Sequence, residues 1–207
     1  MRARSSKLLT ILAAVFLSAC ATSGGAQAPI DIDPSVRGPV AGVGIEGQDI
    51  ISMTDRMMRD MLGSPELTRR PVTPRVIIDA EYFQNDSSQI INKNAITDRL
   101  RVNLNRASQG RMSFVGRQYA GMVAKERELK RQGVTDAGTT GLTRAQAGAD
   151  FRLGGRIASV DSRNPKTGLQ QRYTQITFSM VDLESGMLIW EGIYEFSRAS
   201  ADDIIYR

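Results

Sequence analysis

The sequence predicts an α/β fold: a single small domain in which a mixed β-sheet is packed with about three to four helices and ends in an antiparallel hairpin. Two observations predict it. Between residues 48 and 133, segments with helical spacing alternate with short β-rich segments, an order typical of parallel strands covered by helices. After residue 150 the spacing changes to strict alternation, and a tight turn at residues 184–186 joins the last two segments, as in a hairpin.

The chain begins with a predicted secretory signal over residues 1–19. Its apolar run, Leu8 to Ala19, would cover roughly 18 Å as a helix, which is short of the ~30 Å core of a bilayer. Basic residues precede this run and no acid does. Without the leader's three basic residues (Arg2, Arg4 and Lys7) the net charge falls from +5 to +2. A basic start, a short apolar stretch and small residues at the exit are typical of an export signal.

Cys20 is the one cysteine of the chain. Together with the preceding Leu17, Ser18 and Ala19 it resembles the lipobox of bacterial lipoproteins. The resemblance implies that Cys20 is acylated after cleavage and, because residue 21 is alanine rather than aspartate, that the anchor lies in the outer membrane facing the periplasm. Several acyl chains would give stable anchoring. An ordinary signal peptide followed by an unmodified thiol is the alternative.

Residues 20–45 are rich in Gly, Ala and Pro and are predicted to form a flexible, lipidated linker, so that the domain comprises residues 46–207. The segment Gly42 to Gly47 satisfies G-x-G-x-x-G. A dinucleotide site requires a buried strand directly before that motif, and the preceding residues do not read as one. A flexible entry to the first helix is the better interpretation.

Three helices are predicted from apolar stripes at helical spacing. The first covers residues 48–62 and is stopped by Gly63 and Pro65, and the second ends at Gly110. The third covers residues 119–133, and residues 142–149 form at most a short helix. The side chains expected to face the core are, in order, Ile50, Met53, Met57 and Met61; Ile96, Leu100, Leu104 and Ala107; and Tyr119, Met122, Val123 and Leu129.

Five strands are predicted. Residues 74–83 have a nearly continuous apolar centre, as expected of a strand covered on both faces, and residues 111–116 form a second, short strand. The remaining three cover residues 151–163, 172–183 and 187–196, where apolar and polar side chains alternate.

The composition excludes several kinds of catalysis. Without histidine there is no Ser-His-Asp or Cys-His site and no His-ligated zinc. We expect no enzyme activity, cofactor, metal or small-molecule substrate. The weakly basic mature chain carries mixed-sign charges rather than a nucleic-acid footprint. The carboxylate pairs Asp79–Glu81 and Glu191–Glu195 leave open a glycan hydrolase as a less favoured alternative.

Several segments in order resemble the LpoB family of lipoprotein activators: residues 44–62, 79–88, 94–116 and the ending GADFRLGGRI…FSMVDLESGMLIWEG, residues 148–192. The resemblance covers about residues 44–198. It implies a fold similar to the N-terminal domain of TolB. It also implies a binding protein that stimulates a bifunctional class A penicillin-binding protein and so regulates peptidoglycan synthesis. The alternative in another class is a lipoprotein of an envelope secretion or assembly system, similar to curli export.

No contact motif for a partner identifies itself. We expect the polar loop after the first strand to carry the contact, because loops on rigid scaffolds often bind partners. The candidate residues are Phe83, Gln84, Asn85, Asp86, Ser87, Ser88 and Gln89. A plain connecting loop is the alternative.

Overall fold

A mixed six-stranded β-sheet organises the chain in the computed structural model, which describes residues 29–201. The strands are β1 Arg75–Ile77, β2 Phe83–Asp86, β3 Ser113–Phe114, β4 Phe151–Arg163, β5 Gln170–Asp182 and β6 Leu188–Ser200. Their order is β3-β1-β4-β5-β6, and β2 also pairs with β4. β1 pairs in parallel with β3 and β4, and β2 pairs in parallel with β4. The pairs β4–β5 and β5–β6 are antiparallel. The predicted mixed sheet and C-terminal hairpin are confirmed.

The helices are α1 Gly47–Gly63, α2 Pro65–Thr68, α3 Lys93–Ala107 and α4 Ala120–Arg131, with a 3₁₀ turn at Arg117–Tyr119. The ends predicted for α1 are confirmed. Pro65 is the first residue of α2, a position at which the backbone N–H has no partner within the helix, so proline loses no hydrogen bond there. Residues 142–149, for which at most a short helix was expected, have no helical residue. Within the described residues, no helix is long and apolar enough to span a bilayer.

The hydrophobic core lies between one face of the sheet and the helices α1, α2 and α3. The predicted stripes of α1 and α3 pack there against β4 and β5, with Met53, Met57, Met61, Ile96, Leu100, Leu104, Ile157, Ile176 and Phe178 all buried. The opposite face of the long strands, called here the open face, carries exposed side chains that include Arg156, Val160, Glu191 and Glu195. The domain is therefore two layers thick along β4 to β6.

The strand predicted at residues 74–83 is interrupted. β1 and β2 both pair with the same edge of β4, but Ile77 lies opposite Arg152 and Phe83 opposite Gly155. Phe83 is thus six residues after Ile77, whereas Gly155 is only three residues after Arg152. Residues 78–82 therefore do not pair with β4. Arg152 fixes the position of residues 78–82. Its Nη2 donates to both carboxylate oxygens of Asp79 at 2.9 Å and to Glu81. Its guanidinium lies 4.4 Å from the centre of the Tyr82 ring.

The folded unit begins before the predicted boundary at residue 46. Residues 42–45 are buried, and Ile45 belongs to the hydrophobic core. The side-chain amide of Gln89 accepts from the backbone N–H of Ile45 at 2.8 Å and donates to its carbonyl at 3.2 Å. The predicted flexible entry is therefore wrong for these four residues. The leader, Cys20 and the first part of the linker lie outside the described residues.

Gly155 is required by the packing of Phe83. A Cβ at this position would lie 2.5 Å from Cδ2 of Phe83 and 2.8 Å from the carbonyl oxygen of Thr177. We expect Gly155→Ala to reduce the free energy of unfolding by about 2 kcal/mol, the scale of an overpacked core. Gly154→Ala is the matched control, because its nearest neighbour would be the Tyr82 carbonyl oxygen at 3.4 Å. Urea denaturation measures both variants; equal stability of the two would contradict this packing.

Candidate partner-binding surface

Only the last three of the residues predicted to contact a partner, Ser87, Ser88 and Gln89, lie outside a strand. Phe83 to Asp86 are strand β2, and Phe83 is 1% exposed, with its ring centre 5.4 Å from that of Phe178. Gln89 is also buried, where it holds Ile45. Phe83 and Gln89 therefore serve the fold. Gln84 and Asp86 are exposed on the open face, where Asp86 accepts from Nε of Arg156 at 2.5 Å.

The turn after β2 is closed by its own side chains. Asn85 donates through Nδ2 to the carbonyl of Gln89 at 2.7 Å and accepts from the Ser87 hydroxyl at 2.7 Å. Ser88 donates to Asp161, which also accepts from Arg172. The hydrogen bond from Arg172 is the main reason why the pKa of Asp161 is lowered, while its partial burial opposes this effect. A partner contact through the exposed Gln84, Asp86 and Ser88 stays a prediction.

The carboxylate pairs considered for hydrolysis are engaged in other contacts. Asp79 and Glu81 both bind Arg152. Glu191 accepts from the hydroxyl of Ser179 at 3.1 Å, and Glu195 accepts from that of Tyr173 at 2.9 Å. The hydrogen bond to Glu195 is the main cause that raises the pKa of Tyr173. Among the described residues, no cluster of three or more acidic, histidine or cysteine side chains could hold a metal ion.

Helix α4 exposes the side that was predicted to face the core. None of its residues is buried, and Tyr119 and Met122 are 51% and 67% exposed. The cause is the packing of the other helices, because the core face of the sheet is already covered by α1 and α3. The helix is therefore amphipathic, and no helix or strand within residues 29–201 buries its apolar side.

Hydrogen bonds hold α4 against the segment that follows it. The guanidinium of Arg127 donates to the hydroxyl and the carbonyl of Thr143, both at 2.7 Å, and to the carbonyl of Ala145 at 3.4 Å. Gln146 donates to the carbonyl of Ala120 at 3.4 Å. Residues 143–146 are thus fixed along the helix by polar contacts.

A concave surface results, called here the α4 platform. Its apolar part consists of Met122, Val123 and Leu142, and its charged part, which is basic on balance, of Glu126, Arg127, Lys130 and Arg131. Leu142 is 60% exposed. Within the described part of the chain, Lys130 and Arg131 form no ion pair or hydrogen bond through their side chains. An apolar centre with a rim that is basic on balance fits a protein surface that presents an apolar anchor beside acidic groups.

Sequence reasoning identified the residues of α4 but assigned them to the core. Helical spacing shows which side of a helix is apolar and does not show whether another element covers that side. The weak signal available was the polar, glycine-containing stretch of residues 133–149, which supplies no second element to bury the stripe.

Comparison with known proteins gives one family. Residues 49–196, more than half of the chain, match the family model described as peptidoglycan-synthase activator LpoB. A search of curated proteins gave no match.

Solved structures are similar over much of the chain at low identity. The C-terminal domain of LpoB from Salmonella enterica is 21% identical, with 72% of this chain and 98% of that chain covered and a TM-score of 0.42. The same domain from Escherichia coli is also 21% identical, with 72% of this chain and 99% of that chain covered and a TM-score of 0.43. A lipoprotein from Neisseria meningitidis is 17% identical over 64% of this chain and 88% of that one, with a TM-score of 0.31.

Proposed function

The chain belongs to the LpoB family of peptidoglycan-synthase activators, and on this basis we propose that it is an outer-membrane lipoprotein that binds and stimulates a bifunctional class A penicillin-binding protein. The observation that carries the proposal is the extent of the family match. It runs from the first turn of α1 to the last third of β6 and therefore includes both the core and the α4 platform. In this proposal the protein regulates peptidoglycan synthesis and catalyses no reaction itself.

We propose that the α4 platform is the surface that contacts the synthase. Its apolar centre would be removed from water on binding, and Lys130 and Arg131 would pair with carboxylates of the partner. Stimulation follows if the platform binds the active conformation of the synthase more tightly than the inactive one, since a ligand shifts a conformational equilibrium by its difference in affinity.

The proposed tether sets how far the domain can reach. Since residues 42–45 belong to the folded unit, the linker after Cys20 comprises residues 21–41. Fully extended, these residues reach roughly 70 Å, and as a relaxed coil about 25 Å. We propose that the partner extends toward the outer membrane to meet a domain held at this distance, because tethered binding requires that the linker span the gap.

Affinity capture tests the proposed partner. A lipid-free chain beginning at Ala21, which keeps every described residue, is immobilised and exposed to a detergent extract of the envelope. Retained penicillin-binding proteins are detected with a fluorescent penicillin. We expect a class A enzyme to be retained, and retention to fall when soluble chain is added as competitor. Failure to retain any class A enzyme would contradict the proposal.

The lipid anchor makes a separate prediction. Cys20→Ser removes the thiol to which a diacylglycerol would be attached, so we expect at least a ten-fold loss of incorporated fatty-acid probe and a shift of the protein from the membrane to the soluble periplasmic fraction. Metabolic labelling and fractionation measure both effects, with Ser18→Ala as a control that keeps a small residue before the cysteine. Equal labelling of the wild type and Cys20→Ser would exclude lipidation at this position.

A further inference from the structure

Strand β6 lies at one end of the sheet, and none of the described residues 29–201 adds a strand to its outer edge. The strand is long, from Leu188 to Ser200, and pairs with β5 along nearly its full length. Alternate N–H and C=O groups of an edge strand point away from the sheet and can pair with another extended segment. Native proteins often protect such an edge with a bulge, a proline or a very short strand. The irregularity in this ladder lies at its beginning, beside Met180 and Val181.

A groove runs between this edge and helix α1. It is lined by Arg56, Met57, Arg59, Asp60, Glu191, Gly192 and Ile193. The exposed Asp60 lies beside the two arginines and accepts from the indole Nε1 of Trp190, a neutral donor, at 3.0 Å. Arg56 and Arg59 are exposed, and in the described part of the chain their side chains form no ion pair or hydrogen bond. The helix side of the edge therefore carries two arginines and one aspartate, a net charge of +1.

The open face of the same edge has the opposite charge. Glu191 and Glu195 are exposed there, with Ile193 between them. Each of the two carboxylates accepts one hydrogen bond from a neutral hydroxyl, those of Ser179 and Tyr173 respectively. Neither forms an ion pair with any of the described residues. A strand added to β6 would thus meet arginines on one side and carboxylates on the other.

We propose that the β6 edge is a strand-addition site for an extended segment of another protein whose side chains alternate between acidic and basic residues. Successive side chains of a strand point to opposite faces, so acidic residues at every second position would face Arg56 and Arg59, and basic residues between them would face Glu191 and Glu195. Backbone hydrogen bonds would supply affinity, and the alternation would supply specificity. This site is separate from the α4 platform and does not depend on which protein the platform binds.

A second copy of the chain does not suit the edge. Antiparallel pairing of two β6 strands would present Trp190, Gly192 and Tyr194 of the copy on the helix side, and none of these three residues carries a carboxylate to pair with the arginines. It would also bring the Arg56 and Arg59 pairs of both copies together, and like charges that are close repel. Self-association through β6 is therefore a contrary outcome of the test.

The test uses the lipid-free chain from Ala21 and two capped nine-residue peptides of equal composition. In the first, five glutamates alternate with four lysines; in the second, the glutamates and lysines form two blocks. Backbone amide shifts are followed by NMR during titration. We expect saturable shifts confined to residues 188–196 and the facing turn of α1, and at least ten-fold weaker binding of the block peptide.

Charge reversal provides the matched variants. Arg56→Glu with Arg59→Glu should weaken binding of the alternating peptide at least ten-fold. Arg106→Glu with Arg144→Glu changes the net charge equally at exposed positions away from β6 and should reduce binding less than two-fold. Unchanged amide spectra away from the substitutions confirm that both variants fold. The proposal is overturned by absent shifts at β6, by equal binding of the two peptides, by equal loss in both variants, or by a wild-type dimer in sedimentation whose formation shifts the β6 amides.

Discussion

Replacing Met122 by glutamate is expected to weaken binding of the synthase by about 30-fold, which corresponds to about 2 kcal/mol for a residue at the centre of an interface. Met122 is 67% exposed in the free protein and lies in the apolar part of the α4 platform. A glutamate there would have to be desolvated on binding. The free energy of unfolding should change by less than about 0.5 kcal/mol, because the side chain is on the surface. Isothermal titration calorimetry and urea denaturation measure the two quantities.

Met187→Glu is the matched control for this substitution. Met187 is 64% exposed and lies in the turn between β5 and β6, so the chemical change and the initial exposure are nearly the same while the position is outside the platform. We expect it to leave the affinity for the synthase within about two-fold. Equal affinities of the wild type and Met122→Glu would show that the platform is not the contact surface.

Arg198→Met is expected to reduce the free energy of unfolding by about 3 kcal/mol, the scale on which a buried ion pair loses one partner. The guanidinium of Arg198 donates to both carboxylate oxygens of Asp49, at 2.8 and 2.5 Å, and to the carbonyl of Gly44 at 2.9 Å. The side chain of Asp49 is 4% exposed. Without Arg198, a buried carboxylate and a buried carbonyl would each lose a donor. The contact joins β6 to the first turn of α1 and to the segment before it.

Arg156→Met is the control, because it removes the same chemical group from an exposed ion pair. Nε of Arg156 lies 2.5 Å from Oδ2 of Asp86, but the two side chains are 62% and 44% exposed. Such surface pairs contribute about 0–1 kcal/mol to the free energy of unfolding. Chemical denaturation of both variants distinguishes the two environments. A loss below about 1 kcal/mol for Arg198→Met would mean that Asp49 finds another partner or water.

The elements with long, regular spacing could be predicted from the sequence. In α1 and α3, apolar side chains every three or four residues fix both the helix and the face that is buried, and Met53, Met57, Leu100 and Leu104 are in the core as expected. The alternation in β5 fixes its buried face in the same way, with Ile176, Phe178 and Met180 inward.

Features that depend on distant contacts could not be predicted. The apolar run before Asp79 shows no break, yet the chain leaves the ladder there because Arg152, 73 positions along from Asp79, binds its carboxylate. Phe83 stands beside polar residues, and its burial follows from the space left by Gly155 on β4. The α4 platform was missed for a related reason: whether an amphipathic helix is covered depends on how the other helices already fill the face of the sheet.

The rate of glycan-chain polymerisation by a purified class A penicillin-binding protein, measured on its lipid-linked substrate, tests the proposed function most directly. We expect the lipid-free chain from Ala21 and its Met187→Glu variant to accelerate polymerisation to the same extent, and Met122→Glu to give little or no acceleration at the same concentration. An unchanged rate in the presence of saturating wild-type chain would contradict the proposed function itself. Full acceleration by Met122→Glu would contradict the assignment of the α4 platform alone.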